Sequence, residues 1–159
     1  MKPQTKKKLI KRELNKPLHH IDTCIIIESA KKTKLGNICK KYLNLIGYKY
    51  RGCFSLPVVG EYFIKVITDV KEFIKQEQMF EYFRDLIKDK KIKFYVLKNI
   101  SLKIKVKEID TRIKSTDASI VACAIEDKTI LVTLDKDLLH NEKIEDQCEV
   151  KILHPRELI

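Results

Sequence analysis

Residues 115–137 read STDASIVACAIEDKTILVTLDKD. In the first half, Ile120, Val121, Ala124 and Ile125 recur at helical spacing. One tight apolar face is therefore expected over Asp117–Asp127, with Thr116 placed to cap it. The second half changes period. Thr129–Leu134 is short, β-branched and apolar, the pattern of a strand buried on both faces. Asp135 follows that strand directly, and Asp137–His140 is expected to start a short helix. A helix running straight into a buried strand is half of a βαβ unit.

The same alternation continues outward. Val150–Leu153 reads as a last strand and Ile92–Leu97 as an earlier one. Ser101–Ile113 is ambiguous: Leu102, Ile104 and Val106 alternate as in a strand, while Leu102, Val106, Ile109 and Ile113 fit a helix. Lys71–Lys88 carries Phe73, Ile74, Phe80, Phe83, Leu86 and Ile87 as an apolar stripe, expected in the core or at a dimer surface. Ser55 and Pro57 open a helix that runs to Val70, and Tyr48–Leu56 before it is extended. One helix is expected through Tyr42–Ile46 despite Gly36, with Gly47 as its stop. The first strand lies within Leu18–Ile27, and two placements compete. It is either Ile21–Ile27, following the apolar run, or Leu18–Asp22, with Thr23 turning into a helix. Periodicity does not choose between them. Alternating strands and helices imply a three-layer α/β/α fold with a mostly parallel central sheet.

With 159 residues and 44% hydrophobic content, the chain has one domain's worth of core. It divides into a basic N-terminal arm, residues 1–17, and a domain over 18–159. The net charge is +11. Seven bases against Glu13 place +6 of it in the first twenty residues, with Lys6, Lys7, Lys8, Lys11 and Arg12 closest together. A polycation favours phosphate-rich partners, because binding releases condensed counterions. The five cysteines are odd in number and show no zinc spacing among themselves or with histidine. Cys24 and Cys123 lie in apolar runs and read as buried small hydrophobes of a reduced cytosol. No apolar run is long enough to span a membrane. His19 and His20 read as structural histidines.

Four acids sit where an α/β sheet builds its sites, beyond the carboxyl ends of strands. Asp135 follows the Thr129–Leu134 strand. Asp22 ends the first strand in the earlier of its two placements. Asp117 opens the small-residue helix, and Glu61 lies early in the Pro57 helix. Four carboxylates cannot share a crevice as bare anions. One or two divalent cations with a taste for oxygen, Mg²⁺ or Mn²⁺, relieve the repulsion. Phosphodiester hydrolysis needs such a cation to polarise the phosphoryl group and acidify water.

Four segments carry a resemblance. His20-Ile21-Asp22-Thr23-Cys24 resembles the opening aspartate-threonine signature of the PIN-domain family. Val58-Val59-Gly60-Glu61-Tyr62 is similar to its glutamate motif. Ser115–Ala124 resembles the aspartate with a small-residue helix, and Ile130–Leu138 the strand that ends in threonine, any residue, aspartate. All four stand in family order over residues 18–154. The resemblance implies a metal-dependent ribonuclease fold, often met in VapC-type toxins of toxin–antitoxin pairs. It implies that Asp22, Glu61, Asp117 and Asp135 hold Mg²⁺ or Mn²⁺, with Asp137 as an auxiliary acid and Thr133 positioning water or a carboxylate. It also favours the Leu18–Asp22 strand. RNA as substrate, a homodimer and an antitoxin partner follow from it as expectations.

The basic arm and the stretch from Lys88 to Arg112 depart from the family pattern, so an RNA-processing nuclease fits as well as a toxin. The alternative of another class is a non-catalytic RNA- or protein-binding module that keeps the fold. A phosphohydrolase of the haloacid-dehalogenase type needs Asp-x-Asp after the first strand, and Asp22-Thr23-Cys24 lacks the second Asp.

Overall fold

The first strand resolves to Leu18–Ile21 (β1), and Asp22 lies directly past its end. This is the earlier of the two placements. The apolar run Cys24–Ile27 belongs instead to a helix, Thr23–Ser29 (α1), which buries Ile25 and Ile26. A computed structural model of the chain describes residues 15–159, and Lys6, Lys7, Lys8, Lys11 and Arg12 lie outside the described residues.

The single helix expected up to Ile46 is two. The chain turns after α1 and starts again as Lys34–Leu45 (α2), where the Thr33 hydroxyl accepts the Gly36 N–H at 2.8 Å. Glu28 binds both Lys31 Nζ and Thr33 Oγ1 at 2.7 Å and closes the turn. Gly47 ends the unit in the left-handed region at φ 83°. The chain then forms Arg51–Ser55 (β2), Leu56–Asp69 (α3), Phe73–Lys90 (α4) and Lys93–Tyr95 (β3). Residues 100–109 settle as a helix, Ile100–Ile109 (α5), capped by Asn99. The helical set won: Val106 and Ile113 are buried, while Ile104, needed by the strand pattern, is exposed.

The next helix, Ser115–Glu126 (α6), starts before the expected cap. The Lys114 carbonyl already accepts the Ala118 N–H at 2.9 Å, so Thr116 lies inside the helix and caps nothing. After Ile130–Val132 (β4), residues 136–140 form turns rather than the short helix expected from Asp137. His140 has φ 61°, which breaks any helix there, and Asn141 caps Glu142–Cys148 (α7) instead. Lys151–Leu153 (β5) and a 3₁₀ turn, Pro155–Leu158, complete the chain.

All five strands are parallel, in the order β3-β2-β1-β4-β5. The architecture is the expected three-layer α/β/α fold. Neighbouring side chains of β1 point to opposite layers. His19 packs against the tilted Tyr50 ring at 4.3 Å between centroids and meets Tyr42 Oη at 3.1 Å, on the α2 side. His20 meets Asp127 at the end of α6. Phe54, Tyr62 and Phe83 stack at centroid distances of 4.5 and 5.3 Å, so the α4 stripe divides. Phe83 and Leu86 enter the core, whereas Phe73 and Ile74 are exposed. Among the described residues, no helix is long and apolar enough to cross a membrane.

Full burial pushes the His19 imidazole from 6.5 down to about 4. The unfolded chain thus takes up a proton that the folded chain refuses. Stability from this group is complete above pH 6.5 and is lost as pH falls towards 4, by about 3 kcal/mol over the window. Thermal midpoints of wild type and His19→Phe, measured from pH 7 to 4.5, should show a flatter acid limb in the variant. Equal slopes would contradict a neutral buried His19.

Candidate active site at the carboxyl ends of the first and fourth strands

The strand order makes a switch point. The chain leaves β1 for β2 and β3, then returns to the other flank of β1 as β4. Outgoing connections diverge there and open a crevice past the carboxyl ends of β1 and β4. Asp22 and Asp135 come from those two ends. Asp117 enters from the first turn of α6 and Glu61 from α3.

Asp22 occupies the residue before α1, yet its side chain forms no helix cap. Its Oδ2 accepts from Thr133 Oγ1 at 2.5 Å and from Cys24 Sγ at 3.0 Å. It is only 5% exposed, and burial raises its pKa, with the charge of Glu61 adding to the rise against the two donors. Thr133 is the hub of this arrangement, because it donates to Asp22 while its oxygen accepts the Asp135 N–H at 3.0 Å. One threonine therefore sets two acids in register across β1 and β4.

Glu61 is held from two sides. Thr23 Oγ1 donates to its Oε2 at 2.8 Å, and Lys65 Nζ lies 2.7 Å from its Oε1. Burial works against the Lys65 ammonium, but Glu61 and, beyond it, Asp22 raise its pKa. Asp117 registers the whole group. Burial, then the charges of Asp22, Asp135 and Glu61, push its carboxyl up to about 6, with Lys114 opposing. Asp137 stands apart. Its backbone N–H donates to Asp135 Oδ1 at 2.8 Å, and its exposed side chain interacts with Arg112.

Sequence reasoning gave Cys24, Thr23 and Lys65 no role at the site. Lys65 had a signal, four residues after Glu61 on one helix face. The Cys24 thiol points to Asp22 and accepts the Leu134 N–H at 3.2 Å, a contact across 110 residues that no local pattern reveals. It is half-buried, packed against the core rather than enclosed in it.

The donor set fits a hard divalent cation. It is all oxygen, it concentrates negative charge, and one member is pushed towards protonation by burial and then by the charges of the others. The acids are near one another without forming a closed shell: among the described residues, no three of them bring an oxygen each within 4.8 Å.

A sequence profile described as the PIN domain matches residues 20–144, a span that takes in all four acids. The chain belongs to the PIN domain family, whose members are generally nucleases. The comparison with curated proteins gives no significant match. Among solved structures, FitAcB from Neisseria gonorrhoeae is similar at a TM-score of 0.65 and 16% identity, covering 86% of this chain and 97% of that one. VapBC2 from Rickettsia felis, bound to a DNA fragment from its promoter, is similar at 0.61 and 17%, covering 86% and 98%. DNA-bound VapBC from Salmonella typhimurium is similar at 0.62 and 14%, covering 87% and 98%. At these identities the likeness concerns the fold.

Proposed function

We propose that this protein is an endoribonuclease dependent on Mg²⁺ or Mn²⁺, with Asp22, Glu61, Asp117 and Asp135 as the metal-holding acids. The observation that carries this reading is the convergence of the acids at the switch point: Thr133 joins the Asp22 carboxylate to the Asp135 main chain, Thr23 holds Glu61, and burial and the charges of these three acids raise the Asp117 carboxyl. Four separate chain segments thus send carboxylates into one electrostatic field at the switch point of a PIN-domain sheet.

When bound, the cation supplies Lewis acidity towards the phosphodiester and acidifies the attacking water. The chain's own residues do the rest. Thr133 fixes the Asp22 carboxylate and the Asp135 backbone, so neither swings away when substrate arrives. Thr23 aims Glu61. Lys65 balances Glu61 while no other cation is near, and with Lys114 it offers a positive rim to the RNA backbone. Asp137 acts through its main chain, which orients Asp135. The arm lysines would add sequence-independent affinity for RNA.

The family resemblance also supports an antitoxin protein as partner and a homodimer as the working form. Phe63, Ile64, Ile67, Phe73 and Ile74 are exposed apolar residues on α3 and α4 suited to such contacts.

The test is cleavage of a labelled RNA by the full chain with Mg²⁺, with chelator, and with Asp135→Asn. Cleavage should require the metal and fall by about a hundredfold or more in the variant, while its circular dichroism stays that of wild type. Chelator-resistant cleavage, or full activity in Asp135→Asn, would overturn the assignment. Metal-independent RNA binding with no cleavage would favour the non-catalytic module.

A further inference from the structure

A second group of ligand atoms lies away from the four acids. A cleft of about 920 Å³ runs along the amino ends of all five strands, past Leu18, Arg51, Lys93, Ile130 and Lys151. Cys53 and Asp127 line it. His20 is paired with Cys53 across β1 and β2, so both side chains face the α6 layer. One ligand atom from each of His20, Cys53 and Asp127 lies within 4.8 Å of the other two.

The three residues differ from a chance surface cluster. His20 and Cys53 are buried, at 1% and 2% exposure, and Asp127 opens to the cleft. Tyr95 sets the His20 ring plane by an edge contact at 5.3 Å. His20 Nε2 lies 3.2 Å from Asp127 Oδ2, while its Nδ1 is buried without a partner. Nδ1 lies on the far side of the ring from that contact, so the cation would be held through Nε2. In tetrahedral zinc sites, nitrogen and oxygen ligands stand about 3.4 Å apart, given metal bonds of roughly 2.0–2.2 Å. The observed His20–Asp127 separation is close to that edge. A thiolate and a carboxylate together neutralise a divalent cation, which matters beside Lys93 and Lys128. The thiolate also selects against Mg²⁺.

We infer that His20, Cys53 and Asp127 form a binding site for a Zn²⁺-class cation, with a fourth position open to the amino-end cleft. The three ligands come from β1, β2 and the end of α6. The cation would tie the centre of the sheet to the helix that carries Asp117 at its other end.

The probe is Co²⁺ alone, added to the reduced, chelator-treated full chain and followed by absorption. A thiolate-to-cobalt charge-transfer band should appear in wild type, in Cys24→Ser and in the Asp22→Asn/Asp117→Asn double variant. It should vanish in Cys53→Ser. No band in wild type overturns the site, and so does a band lost in Cys24→Ser but kept in Cys53→Ser. If Cys53→Ser fails to fold, Asp127→Asn decides. Excess Zn²⁺ should raise the wild-type thermal midpoint by about 5 °C, and that rise should shrink by at least half in Asp127→Asn. An equal rise in both overturns the proposal. None of these readouts is RNA cleavage, so their failure leaves the endoribonuclease reading as it stands.

Discussion

Asp117→Asn is expected to cut RNA cleavage by about a hundredfold or more and, in the same protein, to raise the thermal midpoint at pH 8. The two effects share one cause. Burial and three neighbouring carboxylates raise the Asp117 carboxyl from 3.8 to about 6. The unfolded chain gives up this proton near pH 4, and the folded chain holds it to about 6. The contribution to stability is therefore present below pH 4, falls as pH rises through the window, and has become a penalty above pH 6. Taken at face value the shift amounts to about 3 kcal/mol. Asp117 is only half-buried, so solvent screening reduces this to about 1–2 kcal/mol, or roughly 4 °C in a domain of this size. Asparagine keeps the shape and removes the charge. Melting curves in chelator at pH 8 should favour the variant, and the advantage should disappear at pH 4. With Mg²⁺ added, wild type should gain and the variant should not. A variant that is less stable at pH 8 in chelator would show that the acids do not repel one another as described.

Gly36→Ala should destabilise the fold by about 2 kcal/mol. Helix propensity argues the other way, since alanine in place of glycine inside α2 is worth about 1 kcal/mol. Sterics decide. A Cβ at Gly36 would stand 2.6 Å from the Glu28 carbonyl oxygen and closer still to that of Lys31. Both are backbone atoms, one in the last turn of α1 and one in the turn that follows it, so neither can yield as a flexible side chain would. Overpacking of this kind costs about 1–3 kcal/mol or more and outweighs the propensity gain. Urea melts of Gly36→Ala should show the loss, and a midpoint equal to wild type would mean that the turn shifts freely.

Much of the architecture was legible because it rests on local pattern. The period change within Ser115–Leu134 marks a helix and a buried strand, and both exist. The strand at Leu18–Ile21 was open on periodicity alone. Only the resemblance of the Asp22 segment to a family motif separated it from the apolar run that follows. The misplaced boundaries have tertiary causes. The break between Ser29 and Lys34 is held by Glu28 binding Lys31 and Thr33 and by Thr33 capping Gly36, contacts that the apolar period does not register. The turn at 136–140 depends on His140 adopting a positive φ, which its residue type does not require. At the candidate site, the four acids were marked by their positions at strand and helix ends. Thr133, assigned beside them by resemblance, lies against both Asp22 and Asp135. Cys24 was hidden by its apolar neighbours, and Lys65 by the abundance of lysine. His20, Cys53 and Asp127 lie up to 107 residues apart, so cysteine–histidine spacing along the chain had nothing to register.

The place of β1 in the sheet has a consequence for the order in which the protein is made. This strand emerges from the ribosome first among the five, yet it is central, and one of its two flanks waits for β4. Asp22 and the Thr133 hydroxyl that holds it are 111 residues apart. At ordinary synthesis rates of about 5–20 residues per second, that interval lasts roughly 5–20 s. Until it closes, half of β1 lacks its pairing partner and Asp22 lacks its anchor. A chain halted before residue 130 carries Asp22, Glu61 and Asp117 but neither the strand nor the threonine that brings them into register. The long-range closure thus acts as a delay: Asp22 gains its anchor only after Thr133 has been made.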